Sequence, residues 1–398
     1  MKNYSALLII SLLILASCKS GKEQGESNVI NLEETWDSEG SVMLSEIAGS
    51  IDYIPLQKSD DPASILPAPN MINVRMAGDN FIIYGRESVV KVFSSKGEFL
   101  RSIGGNGKGP GEYMQVGRIL VTPDDKGIWI LESSHKLINY SLDGNLIKEI
   151  SLEPNVAQAT IDPEGNLYLM HLEYARETMD SSKIEVLNPD GETIEQFPLY
   201  SGRRLGPGRS WALYSRLNYR DGALEHFEPP YDTLFRYENG AWQPRWILET
   251  GPNKIPFEAY SDMRFNEIFQ PYSFISSLLE TKEYFFIMGV HKQSMKNILA
   301  EKSNLTAMNC DYTNENLERP FRYRGLVNDI DGGVPFWPRS YYKDEYLISL
   351  IDPMDILDFE PAMGDGAGFQ EKNRAKLENL MENIDMEGNP VVMLVRLR

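Results

Sequence analysis

The sequence repeats itself, and each repeat is made of short alternating strands. The glycines Gly97, Gly144, Gly191 and Gly240 stand 47, 47 and 49 residues apart. Each follows Lys96, Asp143, Asp190 or Asn239 and lies between two short runs in which apolar and polar residues alternate. A glycine in that setting supplies the positive φ of a tight hairpin turn. Each unit also begins with an apolar run led by a glycine: Gly78, Gly127, Gly165 and Gly222. Several short strands at a period in the forties is the spacing of propeller blades. Helical solenoids share that period, but their apolar residues recur every 3.6 positions, whereas these alternate at two.

Two weaker units complete the count. One runs from Phe274 through the apolar stretch 284–288 to Ala307; the other runs from Leu326 through 346–351 and finishes at 391–397. The pattern predicts an all-β, six-bladed β-propeller over residues 41–398. A strand over 51–56 is left over near the N-terminus, placed to pair with the last blade and so remove the edge an open array would expose. One helix interrupts the strands. Leu377, Leu380, Met381 and Ile384 follow helical spacing, and Gly388 and Pro390 end the element. It reads as a short insertion against the closing blade.

Ahead of the repeats lies a targeting segment. Lys2 precedes an apolar run over 6–16 broken only by Ser11, too short to span a bilayer comfortably. Leu15, Ala16, Ser17 and Cys18 resemble a bacterial lipobox, in which the cysteine is acylated after cleavage. This predicts a signal peptide over 1–17, then the lipidated Cys18 and a flexible polar tether over 18–40. The lipid would hold the protein to the outer membrane, on its periplasmic or its surface face. The formal charge is −19, and removing residues 1–17, whose only charge is Lys2, leaves −20. Nucleic acid and anionic lipid both require a basic surface, so the charge argues against them as partners. With only Cys18 and Cys310 present, a disulfide framework is excluded. Cys310 reads as a small buried hydrophobe.

Three stretches carry a family resemblance: the glycine-rich run from Gly104 to Tyr113, the segment from Ile47 to Leu56, and the closing Asn389 to Leu394. They resemble the linker and the two ends of the six-bladed β-propeller lipoproteins of Bacteroidetes, relatives of the NHL-repeat propellers. The resemblance implies the propeller fold and an envelope location, and brings no catalytic motif with it. The glycine-rich run itself is not a phosphate cradle. Gly109 stands where a P-loop needs Ser or Thr after the lysine, and Pro110 precedes a strand pattern rather than a helix. It reads as a connector between blades.

Two groups of residues are candidates for chemistry. Placing the blades in register sets Arg86 and Glu87, Glu132 and His135, His171 and Glu173, His226 and Glu228, His291, and Asp352 at the ends of the second strands. All four histidines of the chain fall in this set. If rotation about the ring gathers them at one mouth of the channel, they would bind a divalent metal or act as acid and base. The plainer reading is that strand ends turn polar where they reach water. The second group is Arg203, Arg204, Arg209 and Trp211, followed by Tyr214, Arg216, Tyr219 and Arg220. Arginine forks and aromatic faces suit anionic or glycan-like ligands, although a solvated loop balancing nearby acids has the same composition. Trp337 and Arg339 are placed to line the channel. No nucleophile elbow is present, and the stretch 329–339 lacks the glutamate a calcium loop requires.

These readings favour a binding or scaffold lipoprotein whose ligand is a glycan, a peptide or an outer-membrane partner. The alternative is a metal-dependent hydrolase or lyase at the channel mouth, with His171, His226, His291 and Glu132 in metal or acid–base roles. A structural subunit of an envelope complex would need a broad apolar face, which the sequence does not display.

Overall fold

In the computed structural model the described residues are 28–132, 135–153, 156–171, 183–199, 215–256, 259, 271–311, 324–359 and 371–398. Six antiparallel sheets form the six blades of a β-propeller. Blade 1 is Ile72–Ala77, Asn80–Gly85, Val90–Ser94 and Phe99–Ile103. Blade 2 is Val116–Val121, Gly127–Glu132, Lys136–Ser141 and Leu146–Ser151. Blade 3 is Val156–Ile161, Leu167–His171, Lys183–Leu187 and Thr193–Pro198, and blade 4 begins with Arg216–Arg220, Ala223–Glu228, Thr233–Glu238 and Ala241–Glu249. Blade 5 is Phe274–Glu280, Tyr284–His291, Ser294–Glu301 and Thr306–Asn309. In each blade the first strand is innermost, and first strands touch from blade 6 through blades 1, 2 and 3 to blade 4 around the axis.

The sixth blade closes the ring. Its inner strands are Ser340–Tyr342, Tyr346–Ile351 and Val391–Leu397, and its outermost strand is Ala48–Pro55 from the other end of the chain. The pairing runs from Ile51 opposite Val395 to Pro55 opposite Val391. The helix Glu371–Asn383 sits between the second and third strands of this blade. Its buried Leu377 packs on Ile356 and Val391, and Leu380, Met381 and Ile384 cover the same patch. The helix is therefore the insertion on the closing blade that the sequence predicts.

Both faces of every blade are covered by neighbours, so each blade-to-blade layer holds its own hydrophobic cluster. Blades 1 and 2 bury Ile82, Val92, Ile119 and Ile128 between them. Blades 4 and 5 bury Phe227, Leu248, Phe285 and Ile298, and blades 6 and 1 bury Ile348, Val392, Val74 and Phe81. The hairpin glycines take the left-handed conformation their spacing implies: φ is +84° at Gly97, +88° at Gly144, +83° at Gly191 and +77° at Gly240.

The glycine-rich run 104–111 connects blades 1 and 2, and its amides are already engaged. Gly109 donates to Glu112 Oε2 at 2.8 Å and Gly111 to Glu149 Oε2 at 2.9 Å. Two of its backbone donors are thus taken by the chain's own carboxylates.

The fold begins earlier than the polar composition of 18–40 predicts. Asn28–Asn31 adds a fifth strand to blade 4, parallel to its outer edge, with Asn28 opposite Trp246 and Asn31 opposite Glu249. Ile30, Leu32 and Trp36 are fully buried there. Three apolar anchors suffice because an edge strand needs only every second side chain inside, and a composition average dilutes them. Residues 28–40 thus belong to the folded body rather than to a flexible tether.

Candidate ligand-binding channel

The innermost strands enclose a cavity of about 1220 Å³ along the propeller axis. Each blade contributes to its wall: Asn73 and Arg75, Arg118, Gln158, Arg216 and Asn218, Ser277 and Leu279, and Tyr341. Arg86, Arg324, Trp337, Arg339 and Asp352 line the same cavity. A chain with 58 acidic residues against 39 basic ones thus concentrates arginine on its axis.

Arg75 and Arg118, on the channel wall, have no carboxylate in ion-pair distance among the described residues, unlike most buried charges. Arg118 hydrogen-bonds Gln158 Oε1 and donates to the Leu217 carbonyl at 3.3 Å. Its Nε is buried without a hydrogen-bond partner. Burial, followed by the charges of Arg75 and Arg216, pulls its pKa down to about 9. Arg216 donates to Ser277 Oγ at 3.4 Å and to the Ser215 carbonyl at 2.9 Å, and its pKa is lowered by burial and by Arg75. The side chains of Arg75, Asn73 and Asn218 form no hydrogen bond or ion pair among the described residues.

One turn of pairing away on the same strand the situation reverses. Arg220 meets Asp344 at 2.7 Å and Glu280 at 3.8 Å. Glu280 also meets Arg245 at 3.2 Å and Lys302 at 2.5 Å. Arg245 and Arg236 in turn pair with the buried Glu225, whose pKa burial and Glu280 hold above the usual range. The Glu280 that reaches the channel wall is therefore committed to this network. Asp352 accepts from the Met354 amide at 3.0 Å and caps the short helix Pro353–Leu357.

Of the residues predicted at the strand ends, Arg86 and Asp352 reach the channel, while the histidines do not meet. His171 Nε2 lies 2.9 Å from Glu185 Oε2 within blade 3. Burial raises the pKa of Glu185, but the Thr193 hydroxyl and His171 outweigh it and leave the carboxyl below its usual value. His226 is buried in blade 4 beside the edge of Trp242, and burial drives its pKa to about 3. Glu228, two residues on, is raised to about 7 by burial. His291 contacts Ser273 Oγ at 2.7 Å and lies 3.3 Å from Asp37. Glu132 and His135 line a separate cavity of about 880 Å³, with Glu87, Lys108 and Glu149. Among the described residues no three His, Cys, Asp or Glu side chains stand close enough to share a metal ion. The reason is geometric. Second strands lie one strand spacing, roughly 5 Å, outside the inner ring, and their side chains point into the layers between blades.

Of the basic aromatic group, Arg216 reaches the channel, whereas Arg203, Arg204, Arg209 and Trp211 lie outside the described residues, as does Glu173. Trp337 and Arg339 line the channel as predicted. Cys310 is fully buried, and burial pushes its thiol up to about 12. Sequence reasoning passed over Arg75 and Arg118. Their signal was an arginine inside the first strand of a repeat unit, where its neighbours Val74 and Ile119 are buried.

A six-bladed β-propeller with an arginine- and amide-lined axial channel is the class that fold and site define. The chain belongs to the family described as a domain of unknown function, DUF4934, whose model matches residues 27–396. Its fold is similar to that of a Bacteroides fragilis protein described as exported, with a TM-score of 0.67 and 19% identity over 93% of this chain and 100% of that one. The WD40 repeats of RRP9 are more distant, with a TM-score of 0.42 and 10% identity over 83% of this chain and 99% of that one. No curated protein matches the sequence.

Proposed function

We propose that this chain is an exported, lipid-anchored binding protein whose axial channel holds an anionic ligand. The observation that carries the reading is that Arg75 and Arg118 line the channel with no carboxylate in ion-pair distance among the described residues. A guanidinium withdrawn from water costs free energy unless an anion compensates it. In a chain of charge −19, carboxylates are plentiful, and the network around Glu280 and Glu225 shows how readily they are recruited. Arginine also binds carboxylate, phosphate or sulfate through two parallel hydrogen bonds. The binding reading gains further because His171 and His291, two residues of the enzyme alternative, are engaged with Glu185 and Ser273 in separate blades.

The lipobox at Leu15 to Cys18 and the exported Bacteroides fragilis relative in fold support attachment to the outer membrane. Two measurements test the proposal. Titration calorimetry with citrate is expected to show binding that weakens at least tenfold in Arg118→Gln and Arg75→Gln. Heat that is absent, or unchanged in both variants, sinks the channel reading. Metabolic labelling with palmitate is expected to mark the wild type and not Cys18→Ala; equal labelling overturns the lipid anchor.

A further inference from the structure

The channel wall carries more than charge. Asn73 and Asn218 present carboxamides with no hydrogen-bond partner among the described residues. Each offers one acceptor and two donors. Gln158, Ser277 and Ser349 add further polar groups to the same wall. Trp337 and Tyr341 also line it, both half-buried. Trp337 is held edge-on against Phe286 at 5.6 Å, and the guanidinium of Arg220 lies 5.9 Å from the centre of the Tyr341 ring. The cavity, about 1220 Å³, far exceeds what an inorganic anion fills and falls at or above the range typical of organic ligand sites.

These features select among anions. A bare phosphate or sulfate would satisfy the arginines and leave the amides and the aromatic faces unused. An acidic peptide would bring carboxylates and apolar groups, but it carries few hydroxyls to pair with the carboxamides of Asn73, Gln158 and Asn218. A polyhydroxylated carboxylate uses every group present. Its carboxylates meet Arg75, Arg118 and Arg216, its hydroxyls pair with Asn73, Gln158 and Asn218, and the apolar face of a sugar ring lies on Trp337 or Tyr341.

We infer that the channel binds an acidic oligosaccharide, a chain of sugar units bearing uronic carboxylates. The inference rests on the anion-binding reading above and narrows it. Arg75, Arg118 and Arg216 come from blades 1, 2 and 4 and stand near enough for their charges to act on one another, a concentration of positive charge that suits a ligand carrying several carboxylates rather than one.

The test is calorimetry on the purified protein with four probes: tetragalacturonate, neutral maltotetraose, citrate and tetraglutamate. Tetragalacturonate is expected to bind at least tenfold more tightly than the other three. Asn218→Ala is expected to weaken it at least fivefold, and to weaken citrate by a smaller factor, while Arg118→Gln weakens both. Arg75→Gln serves as the second charge variant should Arg118→Gln fail to fold, because the Arg75 side chain makes no hydrogen bond or ion pair to lose among the described residues. If citrate or tetraglutamate binds as tightly as tetragalacturonate, with the same arginine dependence and no response to Asn218→Ala, the sugar class is wrong and the anion channel stands. If maltotetraose binds equally well, or no probe binds, the anion channel falls with it.

Discussion

The indole of Trp36 lies parallel to the imidazole of His291, with ring centroids 5.7 Å apart and planes 3° from parallel. The two residues join the N-terminal segment to the junction of blades 4 and 5. Trp36 Nε1 donates to the Thr250 carbonyl at 3.1 Å, and Lys292 reaches Asp37 at 2.6 Å. Gly289 makes room for the stack, since a Cβ there would stand 2.4 Å from the indole. Two segments far apart in sequence are thereby fastened by one aromatic contact, close to where Asn28–Asn31 extends blade 4.

Trp36→Ala is expected to destabilise the protein by about 3–5 kcal/mol, the range for losing a fully buried large aromatic. Gly289→Ala, whose added methyl must push the indole aside, is expected to lower the melting temperature in the same direction. Denaturant unfolding followed by tryptophan fluorescence measures both. An unchanged midpoint in Trp36→Ala would show that the N-terminal segment does not contribute to the fold.

The hairpin glycines share a conformation but not surroundings, so their alanine variants are expected to separate. At Gly240 φ is +77° and no atom lies within 4 Å of an added Cβ. Gly240→Ala then carries only the left-handed backbone penalty, about 1 kcal/mol. At Gly97 an added Cβ would sit 2.1 Å from the Pro55 carbonyl oxygen. Gln57 N also donates to the Gly97 carbonyl at 2.7 Å, tying this hairpin to the end of the closing strand. Gly97→Ala is expected to cost about 2–4 kcal/mol, since backbone must shift as well. Equal costs in thermal melts would refute the close approach.

The repeat was legible because hairpin glycines and period-two alternation are local signals, and closure by residues 51–56 followed from the need to cover a free edge. The helix at 371–384 was equally local. The strand at Asn28–Asn31 escaped because its partner lies more than two hundred residues away and only Ile30 of its four side chains is buried. The site was harder to read. Arg86 and Asp352, read as strand-end residues at the channel mouth, and Arg216, read as part of a basic aromatic loop, all line the axial cavity, yet grouping the histidines assumed that equivalent positions in successive blades converge. They converge only on the innermost strand, where Arg75 and Arg118 stand; one strand further out, rotation spreads them into different layers.

Glu228 gives the fold a pH dependence of definite sign. It is buried, its Oε2 has no hydrogen-bond partner, and burial raises its pKa to about 7. A carboxyl whose folded pKa exceeds its unfolded one stabilises the native state most below the unfolded value, near pH 4, and that contribution is lost as pH rises through about 7. Between those limits the loss is up to about 3 kcal/mol. Glu228→Gln cannot ionise and is expected to melt higher than wild type at pH 8 while matching it near pH 4.5. Parallel melting curves across that range would place the carboxylate in a better-solvated setting.

Arg118 carries the opposite linkage. Burial and its arginine neighbours lower its pKa to about 9, well below that of an arginine in the unfolded chain. The folded state therefore binds this proton less well than the unfolded chain, and the charge opposes folding in full below about pH 9. Arg118→Gln keeps a polar group beside Gln158 and removes that charge, so the unliganded variant is expected to gain on the order of 1–2 kcal/mol near pH 7. An anion seated in the channel compensates the same charge in the wild type. Added sulfate is then expected to raise the wild-type melting temperature more than that of the variant, closing the gap between them. A variant that melts lower than wild type without anion would mean that the guanidinium serves as a structural tie to Gln158 and Leu217, and that the channel was not built around an unpaired charge.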